Sequence, residues 1–125
     1  MKEIIRTPDA PAPIGPYNQA VKVNGTLYVS GTVGFVPGTG KLIEGSIADE
    51  THQIMKSIGA VLKAAGMTYA HIVKTSIFLK DMNDFAEVNG VYNTYFESDF
   101  PARETVQVAR LPKDVNVEIS VIAAE

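Results

Sequence analysis

The sequence of 125 residues contains no cysteine. Disulfides, thiol nucleophiles and thiolate metal sites are thereby excluded. Its two histidines, His52 and His71, stand 19 residues apart with no carboxylates in register beside them. Both are read as structural, and neither a metal nor any other cofactor is expected. No stretch is apolar for long enough to cross a bilayer, and Met1-Lys2-Glu3-Ile4-Ile5-Arg6 lacks the apolar run of a signal peptide. The expectation is a cytoplasmic protein without a membrane partner. Positive charge is also in short supply: 11 basic residues face 14 acidic ones, a net charge of -3. No basic stripe is present to attract nucleic acid, so no nucleic-acid partner is expected.

What is present is ordinary globular composition, 46% hydrophobic and 20% charged. No repeat, low-complexity segment or linker divides the chain, so a single domain over 1–125 is expected. Pro8, Pro11, Pro13, Gly15 and Pro16 lie close together and predict an ordered loop leading to Tyr17, because proline donates no backbone hydrogen bond. Strands are predicted over 20–23 and 27–30, joined by Asn24-Gly25, a dipeptide suited to tight hairpins. The glycines from Gly31 to Gly40 mark a long loop around Val36-Pro37. A helix is predicted from Ser46 to Ala65, capped by Ser46 with Asp49 three residues on, carrying an apolar stripe and stopped by Gly66.

The β-branched run 71–79 predicts another strand, and 84–97 a second helix capped by Asn83, with Phe85, Val88, Tyr92 and Phe96 on one face. The last quarter alternates polar and apolar over 104–110 and again over 116–121, which predicts a β-hairpin. With a short strand near Ile4, the pattern is α+β: one mixed six-stranded sheet and two helices on one of its faces. Several strands carry apolar residues of both parities, such as Phe78 beside Ile77 and Ile122 beside Val121. Something must cover the second face, and self-association is the simplest answer.

Arg103 and Glu118 are the leading chemical candidates. Guanidinium suits a two-pronged grip on a carboxylate, and a glutamate within a strand either faces water or serves a site. Together they suggest a pocket for a small organic acid, with a base or water-holder nearby. If the hairpin turns at Lys113, Glu118 stands opposite Gln107 or Val108, and roughly 13 Å along the strands separates it from Arg103.

The segments Ala12-Pro13-Ile14-Gly15-Pro16-Tyr17, Val29-Ser30-Gly31, Val73-Lys74-Thr75, Phe78 through Phe85, Val88-Asn89, Phe100-Pro101-Ala102-Arg103 and Val108 through Pro112 leading to Glu118-Ile119 occur in a telling order. Over nearly its whole length the chain resembles the reactive intermediate deaminase A family, also called YjgF/UK114 or L-PSP. The resemblance implies a chorismate-mutase-like fold and a homotrimer whose sheets form a barrel, with ligand clefts between subunits. It implies hydrolysis of enamine and imine acids, 2-aminoacrylate and 2-aminocrotonate, to 2-keto acids and ammonia, without cofactor.

Carried onto this sequence, the resemblance makes Arg103 the carboxylate anchor. Glu118 becomes the holder or activator of water, and Tyr17 a member of the water network. Ser30, Gly31, Asn89 and Thr105 become pocket residues, Gly31 and Thr105 through their backbone. The family often has cysteine where this chain has Thr105, and glutamine where it has Thr32. The second departure reshapes the pocket edge. Two other readings compete: a regulatory trimer that binds a 2-keto acid without turnover, and a ribonuclease or translation inhibitor, which the acidic balance disfavours.

Overall fold

A computed structural model describes residues 1–125. The chain opens with β1 (Glu3–Ile5) and, after the proline-rich loop, forms β2 (Ala20–Val23) and β3 (Thr26–Thr32). Asn24 and Gly25 between them both take positive φ, 51° and 77°. That is the mirror-image turn whose twist matches paired strands. The glycine-rich segment expected to be a loop instead folds on itself as a small ribbon of β4 (Phe35–Val36) and β5 (Lys41–Leu42).

Helix α1 (Ile47–Ala64) begins at a complete capping box, Ser46 and Asp49 each bonding to the other's backbone N–H. Those bonds from Ser46 hold the Asp49 carboxyl below its usual range. Its buried stripe of Ile54, Met55, Ile58, Val61 and Leu62 lies in the core. The strand β6 (Ile72–Leu79) leads to α2 (Phe85–Asn93), which is shorter than the sequence predicts at both ends. Its start is displaced by a 3-10 turn, Met82–Asp84, and the side chain that caps there is Asp81, not Asn83: the Asp81 carboxylate accepts from the Asn83 N–H at 2.9 Å. Two further strands, β7 (Ala102–Gln107) and β8 (Val117–Ala124), complete the chain.

These last two strands are not a hairpin. The sheet order is β1-β2-β3-β8-β6-β7, with β7 parallel to β6 and β8 inserted antiparallel between β3 and β6. The connection looks like a hairpin turn in sequence, but Leu111 and Val115 within it are buried. The chain passes β6 and pairs on its far side instead of turning directly back along β7. The architecture is otherwise the expected one: a mixed six-stranded sheet and two helices on one face, with Leu27, Ile77, Leu79, Val117 and Ile119 in the layer between. The opposite face carries Tyr28, Phe78, Val106 and Ile122, of which Tyr28 and Val106 are exposed. Lys74, Ser76 and Glu104 lie among them, the Glu104 carboxylate meeting Lys74 at 3.0 Å and accepting the Ser76 hydroxyl.

Ile119 has no solvent exposure and lies on a central strand. Replacing it with alanine is expected to cost about 2–5 kcal/mol in urea denaturation, the usual range for a core isoleucine.

Candidate functional site

Register decides where each candidate side chain points. Arg103 pairs with Thr75, and Thr75 accepts the Tyr92 hydroxyl from α2 at 2.9 Å, so Arg103 shares the helix-covered side of the sheet. Glu118 pairs with Phe78, three positions further along β6, and odd displacements reverse the face. Arg103 and Glu118 of one chain therefore point to opposite faces. The candidate residues divide into two groups.

The first group surrounds a cavity of about 100 Å³. Tyr17, Ser30, Gly31, Thr32 and Glu118 line it, together with Val33, Phe35, Ser57 and Val61. Two features of the backbone build it. One is a β-bulge: Val29 opposes Val121 while Thr32 opposes Ile119, so Ser30 and Gly31 together face the single residue Ser120. The extra residue bends β3 and brings its backbone against the Glu118 carboxylate. A Cβ on Gly31 would lie 2.7 Å from Glu118 Oε2, so only glycine permits this approach.

The other feature is the proline-rich loop, which cannot satisfy itself by a ladder and is stapled by Gln19. The Gln19 amide lies within hydrogen-bonding distance of the Thr7, Ala10 and Pro11 carbonyls, at 3.0, 3.2 and 2.9 Å, and its oxygen accepts from the Thr7 N–H at 2.8 Å. The loop so held presents Tyr17, whose hydroxyl accepts a long bond, 3.4 Å, from the Ile14 N–H. Ser30 donates its hydroxyl to the Asn18 carbonyl at 2.6 Å, keeping its oxygen lone pairs free to accept. Thr32 spends its hydroxyl on the Ser30 carbonyl at 3.0 Å.

Glu118 itself takes no hydrogen bond or ion pair from the chain, and burial pushes its carboxyl above the ordinary glutamate range. A carboxylate so placed attracts a water or a proton-bearing ligand to replace its lost hydration.

The second group lies at the β7 edge of the sheet, against α2. Asn89 accepts from Arg103 Nη1 at 2.7 Å. The guanidinium carbon lies 5.1 Å from the Tyr92 ring centroid and 5.7 Å from that of Phe85. An aromatic bed and one amide hold the group in place, and most of its five donors stay unspent. Asn89 thus positions Arg103. Thr105 lies two residues on with its hydroxyl oxygen shielded from solvent and unpaired. Around this edge Phe85, Phe100 and Val106 are exposed.

The two histidines are spent within the structure, His52 Nδ1 on the Tyr95 hydroxyl at 2.8 Å and His71 Nδ1 on the Thr68 N–H at 3.0 Å. Sequence reasoning missed Gln19, whose polar type before a strand carries no obvious signal. It also missed Lys113, read as a turn residue but placed at the cavity rim with φ of 57°, and Ser57, on a helix face that reads as apolar.

The chain is similar over its whole length to known proteins. Residues 7–125 match the family described as endoribonuclease L-PSP. The 2-iminobutanoate/2-iminopropanoate deaminase of Mus musculus is 48% identical over 125 residues, 100% of this chain and 93% of that protein. The structure of YyfA, from the conserved Rid protein family of Yersinia pestis, superimposes with a TM-score of 0.97 at 48% identity, covering 100% of both chains. E. coli TdcF, solved with bound serine, gives a TM-score of 0.94 at 39% identity over 98% of each chain.

Gly31→Ala is expected to leave the fold intact, because the added methyl meets the far end of a flexible side chain, yet to displace the Glu118 carboxylate. Glu118→Gln is expected to raise the melting temperature at neutral pH. The folded-state carboxyl titrates above its unfolded value, so ionising it costs stability as pH rises through that window. The gain should vanish below the unfolded pKa, where both states are protonated.

Proposed function

The chain belongs to the endoribonuclease L-PSP family, and from that footing we propose that it hydrolyses reactive enamine and imine acids, 2-aminoacrylate and 2-aminocrotonate, to 2-keto acids and ammonia. The observation that carries this reading is the division of the site: an unpaired, half-buried carboxylate in a small cavity on one side, an arginine with unspent donors on the other. Opposite faces cannot converge within one chain. A second copy that sets its β7 edge beside the cavity brings Arg103 to Glu118 and covers the apolar face at once. We therefore read the protein as a homotrimer with its sites between subunits. It works in the cytoplasm beside the dehydratases that release its substrates, with neither nucleic acid nor membrane as partner.

In such a site Arg103 of one subunit grips the substrate carboxylate through paired N–H donors, held in aim by Asn89. Protonation of the enamine at its β-carbon, with loss of an N–H proton, gives the imine. Glu118 of the adjacent subunit holds a water and takes its proton as the oxygen bonds to the imine carbon. Glu118 returns that proton to nitrogen to give the carbinolamine, then carries the hydroxyl proton to the same nitrogen as the C–N bond breaks, ammonia leaves and the carbonyl forms. Tyr17 and the Ser30 oxygen complete the bonding of the water. The cavity suits a ligand of few heavy atoms, in keeping with the serine bound by TdcF.

A coupled assay with a threonine dehydratase tests the proposal. Wild-type protein should speed keto-acid release, and Arg103→Ala should cost about 10–100-fold, the worth of a charged hydrogen-bonded pair. Saturable keto-acid binding without turnover would favour a regulatory trimer instead. The rate should fall as pH drops through the Glu118 titration, and Glu118→Gln should abolish that limb. Mixing Arg103→Ala with Glu118→Gln subunits should restore about a quarter of the sites if each site spans two copies, and none if it does not.

A further inference from the structure

Glu50 on α1 makes bonds that neither its helix nor the core requires. Its Oε2 accepts from the backbone N–H groups of Asn116 and Val117 at 2.9 and 3.0 Å, and its Oε1 accepts from Asn116 Nδ2 at 2.9 Å. These are the last residues before Glu118. Asn116 is fixed from its other side as well, its carbonyl accepting the Lys80 N–H at 3.0 Å. The stem of Glu50 lies close to Gly34, where a Cβ would come within 3.2 Å of Glu50 Cγ, and Gly34 sits between Val33 and Phe35, both cavity-lining. One side chain thus ties α1 to the strand that carries Glu118 and lies beside a segment that lines the same cavity.

We infer that Glu50 is a positioning residue for Glu118: a carboxylate clamp on the entrance of β8 that sets where the water-holding group lies in the cavity. The inference rests on the deaminase reading for its kinetic consequence, though not for its geometric one. Charge-assisted acceptance of two adjacent backbone N–H groups fixes a strand end more tightly than a neutral bond does. A shift of about 1 Å at a reacting group can cost on the order of 100-fold in rate. The other charges near the clamp are Lys113, Asp114 and Glu44, which line the same hollow as Glu50, and Asp84, whose carboxyl is pushed up by burial and then by Asp81, Glu87 and Glu50.

The test compares Glu50→Ala, Glu50→Leu and Glu50→Gln with wild type. Both backbone bonds end on one oxygen, so glutamine can keep them and should retain near-wild-type kcat. Alanine and leucine remove the acceptors, and kcat should fall about 10–100-fold with KM little changed. Leucine keeps the bulk against Gly34 and serves if alanine does not fold.

Carbon-13 titration of the Glu118 carboxyl supplies a readout independent of turnover. Its midpoint should move toward that of ordinary glutamate in the alanine or leucine variant and stay in place with glutamine. An unmoved Glu118 titration in folded Glu50→Ala or Glu50→Leu overturns the inference, as does equal damage from glutamine and alanine. A wild-type protein without deaminase activity would sink the functional reading alone, because the titration still reports on the clamp.

Discussion

Alternation of side chains along a sheet covered by helices on one face is the constraint from which the rest of the molecule follows. With α1 and α2 packed on a single side, each strand must send every second residue to a face that its own chain leaves open. Phe78, Ile122, Tyr28 and Val106 occupy that face, and the same parity puts Glu118 there while Arg103 turns toward α2. A division that would be fatal to a one-chain site becomes, in the oligomer proposed above, the basis of a shared one.

Within each half the side chains are placed by unlike means. The cavity side relies on backbone irregularity: a bulge at Ser30-Gly31, a loop stapled by Gln19, and left-handed backbone at Lys113 and Asp114. Such features sit where a regular ladder would aim groups wrongly, and their local cost is carried by the surrounding core. The arginine side relies on packing, with the guanidinium laid on Tyr92 and tied to Asn89. The arginine is held by these contacts, whereas Glu118 is left without a partner. Binding of a water or ligand is what restores its solvation.

The carboxylates of this chain show how environment separates roles. Glu50, with three donors, is a structural clamp, and Glu118, with none, is raised by burial. Glu104 pairs with Lys74 and Ser76, which hold it below its usual range. Residue type alone distinguishes none of these.

Local chemistry was legible in the sequence. The Asn24-Gly25 turn, the Ser46 cap and the α1 stripe depend on residues within a few positions of one another, so short-range rules reach them. The α+β class followed from the order of the elements, the expectation of cover on the second face from counting apolar parities, and Arg103 and Glu118 from their chemistry. The partner of β7 lay beyond those rules. A hairpin and a crossover leave the same alternation in both strands, and only the pairing in the folded sheet tells them apart. Gln19 and Glu50 escaped notice because their partners, spread along the proline-rich loop or 66 positions away, belong to no local pattern. Sequence by itself determined which groups are available for chemistry and which elements carry them. Only the tertiary structure decided which face each group takes and what it touches, because pairing register and long-range hydrogen bonds are set by the packing of the whole sheet.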